Sequence, residues 1–281
     1  MIDPDQEPTI RLIIFVGVLA GLALLELLIP RRKLVGVKWQ RWITNLGLIV
    51  IDTLALRLLF PLLAVGFAGY VASKGWGLFN LLNLPVALEI ILCVFALDLA
   101  IYFQHVISHK IGIFWALHKV HHVDRDVDVT TAIRFHPIEI VLSMVYKFAI
   151  IIVLGPAALA VFLFEVLLNA SAMFTHANLT LPAPLDYVVR LLFVTPDMHR
   201  VHHSVHHNET DSNYGFNLSI WDRMFGTYIP QPKDGHEDMT LGQNAYQTDE
   251  PSKLWFCLLL PFLPKRPQEL RAVEHKKNSG K

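Results

Sequence analysis

Histidine carries the chemistry in this chain. Of the 14 histidines in 281 residues, 12 lie between His105 and His207, and their spacing is regular. His105 and His109 form an i, i+4 pair. His118, His121 and His122 recur at i, i+3 and i+4, and His199, His202 and His203 repeat that pattern. On a helix each set shares one face, so its imidazoles can converge. Single histidines stand at His136, in Arg-Phe-His-Pro, and at His176, in Phe-Thr-His-Ala-Asn. Neutral imidazole suits iron, zinc, copper and nickel, and no carboxylate occupies the box positions. These ten ligands exceed the four of one tetrahedral site and point to two metals holding about five each. Without metal, ten clustered imidazoles would repel when protonated or bury unsatisfied nitrogens. A lone His-x3-His says little, but two His-x2-His-His boxes beside it make a strong signal. His136 precedes Pro137 and also suits a helix N-cap. His206 and His207 extend the last stripe and read as outer or surface residues, as do His236 and His275.

Composition removes several alternatives. Two cysteines, Cys93 and Cys257, cannot hold an iron–sulfur cluster, a cysteine-rich zinc module or a disulfide scaffold. Lys and Arg total 24 and Asp and Glu total 24, so no net positive field draws nucleic acid. The chain is 53% hydrophobic and 17% charged, with a mean hydropathy of +0.43. That is too apolar for disorder and too poor in charge to cover a soluble surface.

The elements that position the histidines are therefore membrane helices. Leu12 to Ile29 is an apolar run of 18 residues broken only by Glu26, about 27 Å of helix against a hydrocarbon core of ~30 Å. Its flank is acidic (Asp3, Asp5, Glu7), unlike a signal peptide, so it reads as a retained anchor. Ile43–Ala72, Val86–Phe103, Ile138–Leu154 and Ala157–Phe174 are further candidates, the last two joined by Gly155-Pro156. Asp98, Tyr102, His105 and His109 share one stripe of the third segment. Arg31, Arg32, Lys33, Lys38 and Arg41 make the first loop basic, which by the positive-inside rule makes it cytoplasmic. Counting crossings from there brings every histidine box to the same, cytoplasmic side. The expected fold is an all-α polytopic membrane bundle of four to five crossings with a cytoplasmic histidine-rich cap. Its parts are residues 1–84 (N-terminal helices and basic loop), 85–230 (catalytic) and 231–281 (interfacial segment and tail).

The boxes, together with Arg134-Phe-His136-Pro137 and Glu139, Asn213-Tyr-Gly215 and Trp221-Asp-Arg-Met-Phe-Gly-Thr227, resemble the fatty acid hydroxylase/sterol desaturase superfamily of membrane di-iron enzymes. The resemblance covers about residues 85–230. It implies O2-dependent hydroxylation or desaturation of a lipid C–H bond, on a sterol, fatty acyl, sphingolipid or alkylglycerol substrate. It assigns His105, His109, His118, His121, His122, His199, His202 and His203 to metal, with His136 and His176 matching more variable positions. The implied cofactors are two non-haem iron ions and O2, with zinc as a substitute metal. No reductant module is visible, so electrons come from a separate cytochrome b5-like, ferredoxin or reductase partner. The implied setting is a multi-pass protein of a bacterial inner membrane or the endoplasmic reticulum.

Asp98, Asp124, Asp197 and Asp222 are candidates to accept the second ring N–H of ligating histidines. Trp221 reads as an aromatic anchor at the membrane interface. Leu254–Leu263 is too short to span and is expected at the interface or packed on the site; the tail from Lys265 is charged and expected to be mobile. Two other classes compete with the lipid oxidase. A metal or proton transporter would place its ligands at mid-membrane rather than at helix ends. A zinc-dependent membrane hydrolase would need far fewer histidines.

Overall fold

The computed structural model describes residues 6–82 and 84–267. Among these residues there is no strand, only isolated bridges such as Pro30–Leu179 and Ser204–Leu241. Apart from the single turn α4 (Leu78–Leu81), the first eight helices are long: α1 (Glu7–Leu28), α2 (Lys38–Leu59), α3 (Ala64–Ser73), α5 (Val86–Lys110), α6 (Gly112–His122), α7 (Pro137–Leu154) and α8 (Ala158–His176). Shorter ones follow: α9 (Ala183–Arg190), α10 (Pro196–His202), α11 (His207–Thr210), α12 (Ile220–Met224), α13 (Gly235–Asp238) and α14 (Leu254–Leu259).

Among the described residues, five stretches are long and apolar enough to cross a membrane: Glu7–Leu28, Lys38–Leu81, Val86–Lys110, Pro137–Leu154 and Ala158–His176. Each covers one of the hydrophobic segments marked by sequence. Their outward faces are Leu, Ile and Val, such as Leu27, Leu58 and Val153. The second is not one helix. Pro61 has no N–H to continue the ladder, so α2 stops at Leu59 and α3 starts anew at Ala64.

The α7–α8 hairpin turns where Gly155-Pro156 suggested. Gly155 adopts φ +61°, and a Cβ there would lie 2.1 Å from the Trp76 carbonyl. Only glycine allows that approach, and Asn80 Nδ2 pins the turn by donating to the Gly155 carbonyl at 2.9 Å. Behind the turn, α3, α5, α7 and α8 share a core that includes Ala64, Ala68, Leu97, Ile151 and Phe164. Alanines on α3 let the helices pack closely.

The opposite end of the bundle gathers the C-termini of α1, α5 and α8 with the N-termini of α2 and α7. Charges inside the apolar segments do the joining. The buried Glu26 carboxylate of α1 accepts from the backbone N–H of Val129 at 2.7 Å and of Asn178 at 2.8 Å. Arg41 of α2, 1% exposed, donates to Asp124 at 2.8 Å and Asp128 at 2.6 Å, just beyond α6. Thus part of the basic loop has a structural role besides its charge. Residues 254–263 pack Phe256, Cys257 and Leu260 against Leu48, Val120 and Tyr246 beside the histidine end, the second of the two placements expected for them. The tail beyond residue 267, including His275, lies outside the described residues.

Candidate metal centre

Nine histidines meet at this end as two adjoining groups. His105, His109, His118, His122 and His202 form one, and His121, His176, His199 and His203 the other. Within each group one nitrogen per ring lies within 4.8 Å of every other, and all nine residues are buried. The helix register explains the division. Each i, i+4 pair stays together: His105 with His109, His118 with His122, and His199 with His203. The i+3 member of each triple crosses over, His121 leaving its box for the second group and His202 for the first. The groups touch through His122 and His203, stacked at 4.6 Å between ring centroids.

The hydrogen bonds of the rings decide whether these nitrogens fit a cation. Nδ1–H of His105 donates to the Tyr214 carbonyl at 2.8 Å, that of His202 to Ser212 at 2.6 Å, that of His121 to Arg134 at 3.2 Å and that of His176 to Ala172 at 2.7 Å. Nδ1 of His118 donates to Glu139 Oε1 at 2.6 Å. A carbonyl can only accept, so each of these neutral rings is fixed with its lone pair on Nε2. Those lone pairs point inward. Nε2 of His105, His118 and His202 is buried without a protein partner, while Nε2 of His121 lies 3.0 Å from Nε2 of His176. Two acceptors facing each other at that distance repel unless a cation sits between them. The donor set therefore fits a metal in each group. Burial, with the added repulsion of neighbouring imidazoles, holds His121, His122, His199 and His203 well below the ordinary histidine range. The same desolvation pushes His202 down to about 3. These five rings are thus neutral at physiological pH, as coordination requires.

Glu139 is the carboxylate that orients a ligand ring, and Asp211 approaches His109 Nδ1 at 3.5 Å. The four aspartates expected in this role act elsewhere. Asp124 is held by Arg41, and Asp197 pairs with Arg31 at 3.2 Å and with Arg200. Asp98 accepts from Trp221 Nε1 and from Asn217 Nδ2, both at 2.7 Å. Asp222 accepts from the backbone N–H of Tyr214 and Gly215 at 2.7 and 2.9 Å. The last two thus shape the loop whose Tyr214 carbonyl receives His105. A Cβ on Gly215 would meet Asp222 Oδ2 at 2.8 Å. Asn213, at φ +49°, donates to the carbonyls of Met198 and Ile229. Trp221 is accordingly buried at 7% exposure and hydrogen-bonded, not an interfacial anchor.

Glu139→Gln replaces a charged acceptor by a neutral one and is expected to weaken metal retention by about 10- to 100-fold. Metal content after dialysis against a graded chelator checks this.

His136 is not brought into either group. Its Nδ1 accepts from Ile138 N at 3.2 Å as the N-cap of α7, and its Nε2 donates to the Leu258 carbonyl at 3.2 Å. Both ring nitrogens are spent. His206 faces Asp234 at 2.6 Å and His207 is exposed, both outside the groups. His236, expected at the surface, is buried 3.6 Å from Asp197, and desolvation lowers it to about 4. Sequence reasoning missed Arg134, whose buried guanidinium binds the Val120 carbonyl, Asn45 and the Pro251 carbonyl. Its place in Arg-Phe-His-Pro was the available signal.

The fatty acid hydroxylase family model matches residues 90–227. Alkylglycerol monooxygenase of Xenopus tropicalis is 33% identical over 163 residues, 58% of this chain and 35% of the relative. Alkylglycerol monooxygenase of Danio rerio is 28% identical over 260 residues, 91% of this chain and 55% of the relative. Ornithine lipid hydroxylase OlsE of Rhizobium tropici is 32% identical over 157 residues, 55% of this chain and 46% of the relative. The chain thus spans about a third to just over half of the length of these relatives. No solved structure matches it. The matched residues hold all nine clustered rings and the five groups that accept their Nδ1–H bonds, and this region of the chain belongs to the fatty acid hydroxylase/sterol desaturase superfamily.

Proposed function

We propose that this chain is an O2-dependent lipid oxidase that hydroxylates or desaturates a C–H bond, with one iron ion in each histidine group. One observation carries the reading: the first group opens onto a cavity inside the membrane bundle. The cavity has a volume of about 940 Å³, and His105, His118 and Glu139 stand in its wall. Ile101, Met144, Met173 and Phe216 make much of its wall apolar. That shape takes an alkyl chain from the bilayer and brings it to the histidines. Relatives named alkylglycerol monooxygenase, ornithine lipid hydroxylase and methylsterol monooxygenase support a lipid substrate and favour hydroxylation.

When bound, iron supplies the electrons and Lewis acidity that activate O2. The protein holds nine neutral nitrogens in place, so a loaded centre stays strongly cationic. Backbone carbonyls fix four of the rings and Glu139 a fifth, and the cavity wall keeps water from the reacting carbon. The basic first loop supports a cytoplasmic site, where a separate electron donor, cytochrome b5-like, ferredoxin or reductase, has access.

The test is untargeted lipid analysis of aerobic cells carrying the wild type or His202→Ala. A lipid that gains one oxygen atom, labelled by isotopic O2, is expected with the wild type alone. Identical lipid profiles would sink the reading.

A further inference from the structure

Residues 183–193 and 217–225 belong to none of the five membrane-crossing stretches, yet the surface they present is apolar. On α9 and the turn after it, Leu185, Tyr187, Val188, Leu191, Leu192 and Phe193 are all exposed. The two charged side chains of this stretch are turned inward. Arg190 is buried, pairs with Asp186 and donates to the Pro230 carbonyl at 2.7 Å. A surface in water would show the reverse arrangement. Met224 and Phe225, at the end of α12, are exposed as well. An apolar patch of this extent marks a partner or a membrane.

The patch is continuous with the outer face of α5. The Phe225 ring packs on that of Phe103, 5.1 Å between centroids, and Phe103 is itself exposed on α5. Residues 217–221 tie the α9 turn to the same helix. Ser219 N donates to the Leu192 carbonyl and Val194 N to that of Asn217, both at 3.0 Å. The Asp98 carboxylate of α5 accepts from Leu218 N at 3.2 Å and from Trp221 Nε1 at 2.7 Å.

Helix register gives the depth. Asp98 stands twelve residues before Lys110, the last residue of α5, which is about 18 Å along the axis. A hydrocarbon core of ~30 Å takes up about 20 of the 25 residues of α5. Even with all the others clear of it on the histidine side, Asp98 lies about 10 Å below the hydrocarbon surface. Residues 217–221 are therefore held at acyl-chain depth. Non-helical backbone survives there only when the protein satisfies its polar groups. The bonds to Asp98 and between 192–194 and 217–219 do so.

We propose that the outer face of α9, with Met224 and Phe225, is embedded in the acyl chains of the leaflet on the histidine side, beside α5. The partner is bilayer hydrocarbon and not a particular headgroup, since no basic cluster lines the face among the described residues. Arg223 marks the rim: it is exposed and stacks 4.0 Å over the Tyr228 ring, and a long side chain of this kind keeps its charge in water. The embedded face shields the polar loop around Asp98 from lipid and holds the end of α5 that carries His105 and His109 at the membrane boundary. This placement does not depend on the lipid-oxidase reading.

Fluorescence quenching tests it. Val188→Cys, Leu192→Cys and Met224→Cys are each labelled with an NBD fluorophore in the full chain and reconstituted into phosphatidylcholine nanodiscs. Cys93 and Cys257 are buried, and labelling of the wild type sets the background. Phosphatidylcholine carrying a nitroxide on its acyl chain is expected to quench most of the emission at all three positions, as at the bilayer-facing control Leu58→Cys. Iodide in the buffer should quench little there and strongly at Glu237→Cys, where the native side chain is 76% exposed. Iodide quenching at Val188→Cys and Met224→Cys equal to that at Glu237→Cys would put the face in water and overturn the proposal. Quenching by neither agent would overturn it too, because protein, such as a second copy of the chain, would then cover the face. Melting temperature confirms that each labelled variant is folded.

Discussion

Replacing His122 by alanine is expected to lower bound iron from two ions per chain to one, and replacing its neighbour His121 is expected to do the same at the other position. Each change should reduce lipid oxidation by at least about 10³-fold, since a centre that contributes several kcal/mol to the transition state is lost. The two residues are adjacent on α6, equally buried, and differ in the group they join. Elemental analysis with Mössbauer spectroscopy separates the outcomes: each variant should lose a different iron signal. Loss of both signals from either variant would mean that the groups form one indivisible centre. His136→Ala is the control. Its ring caps α7 and meets Leu258, so it should keep both irons and lose about 1 kcal/mol of stability.

The second large effect is at Arg41. Arg41→Leu is expected to destabilise the protein by about 3–5 kcal/mol, because it leaves buried carboxylates without their counter-ion. Asp124, Asp126 and Asp128 are each 2% exposed or less, and all lie against this guanidinium. Burial raises the cost of charge on Asp128, yet Arg41, Thr130 and Trp42 together hold it below the usual carboxylate range. With Arg41 gone that balance reverses. The loop follows α6 directly, so metal retention should fall with stability. Thermal unfolding in detergent measures the loss, and adding Asp124→Asn and Asp128→Asn to Arg41→Leu should recover much of it. A single variant that melts with the wild type would show that the loop does not depend on this pairing.

Much of this was legible in the sequence because helical periodicity and hydrophobic length are local properties. Spacing alone put His118, His121 and His122 on one face, and 18-residue apolar runs marked the crossings. Spacing cannot say which partner a face meets, so the exchange of His121 and His202 between groups became visible only in three dimensions. The acids failed for the same reason. Asp98 and Asp222 lie near the boxes in sequence, but their partners come from residues 214–221, more than a hundred positions from Asp98. His236 looked peripheral because nothing local showed that Asp197 and Arg31 would enclose it. Pro61 was the clearest signal passed over, since a proline inside an apolar run already predicts two helices.

The rings of His105, His121, His176 and His202 are steered by peptide carbonyls rather than by side chains. Substitution cannot delete a carbonyl, so this orientation is robust to mutation at the residues that provide it. Ser212 and Ala172 are free to vary in identity as long as the chain keeps its path. The selective burden shifts to the residues that bend that path. Asn213, Gly215 and Asp222 should tolerate little, although none of them touches an imidazole.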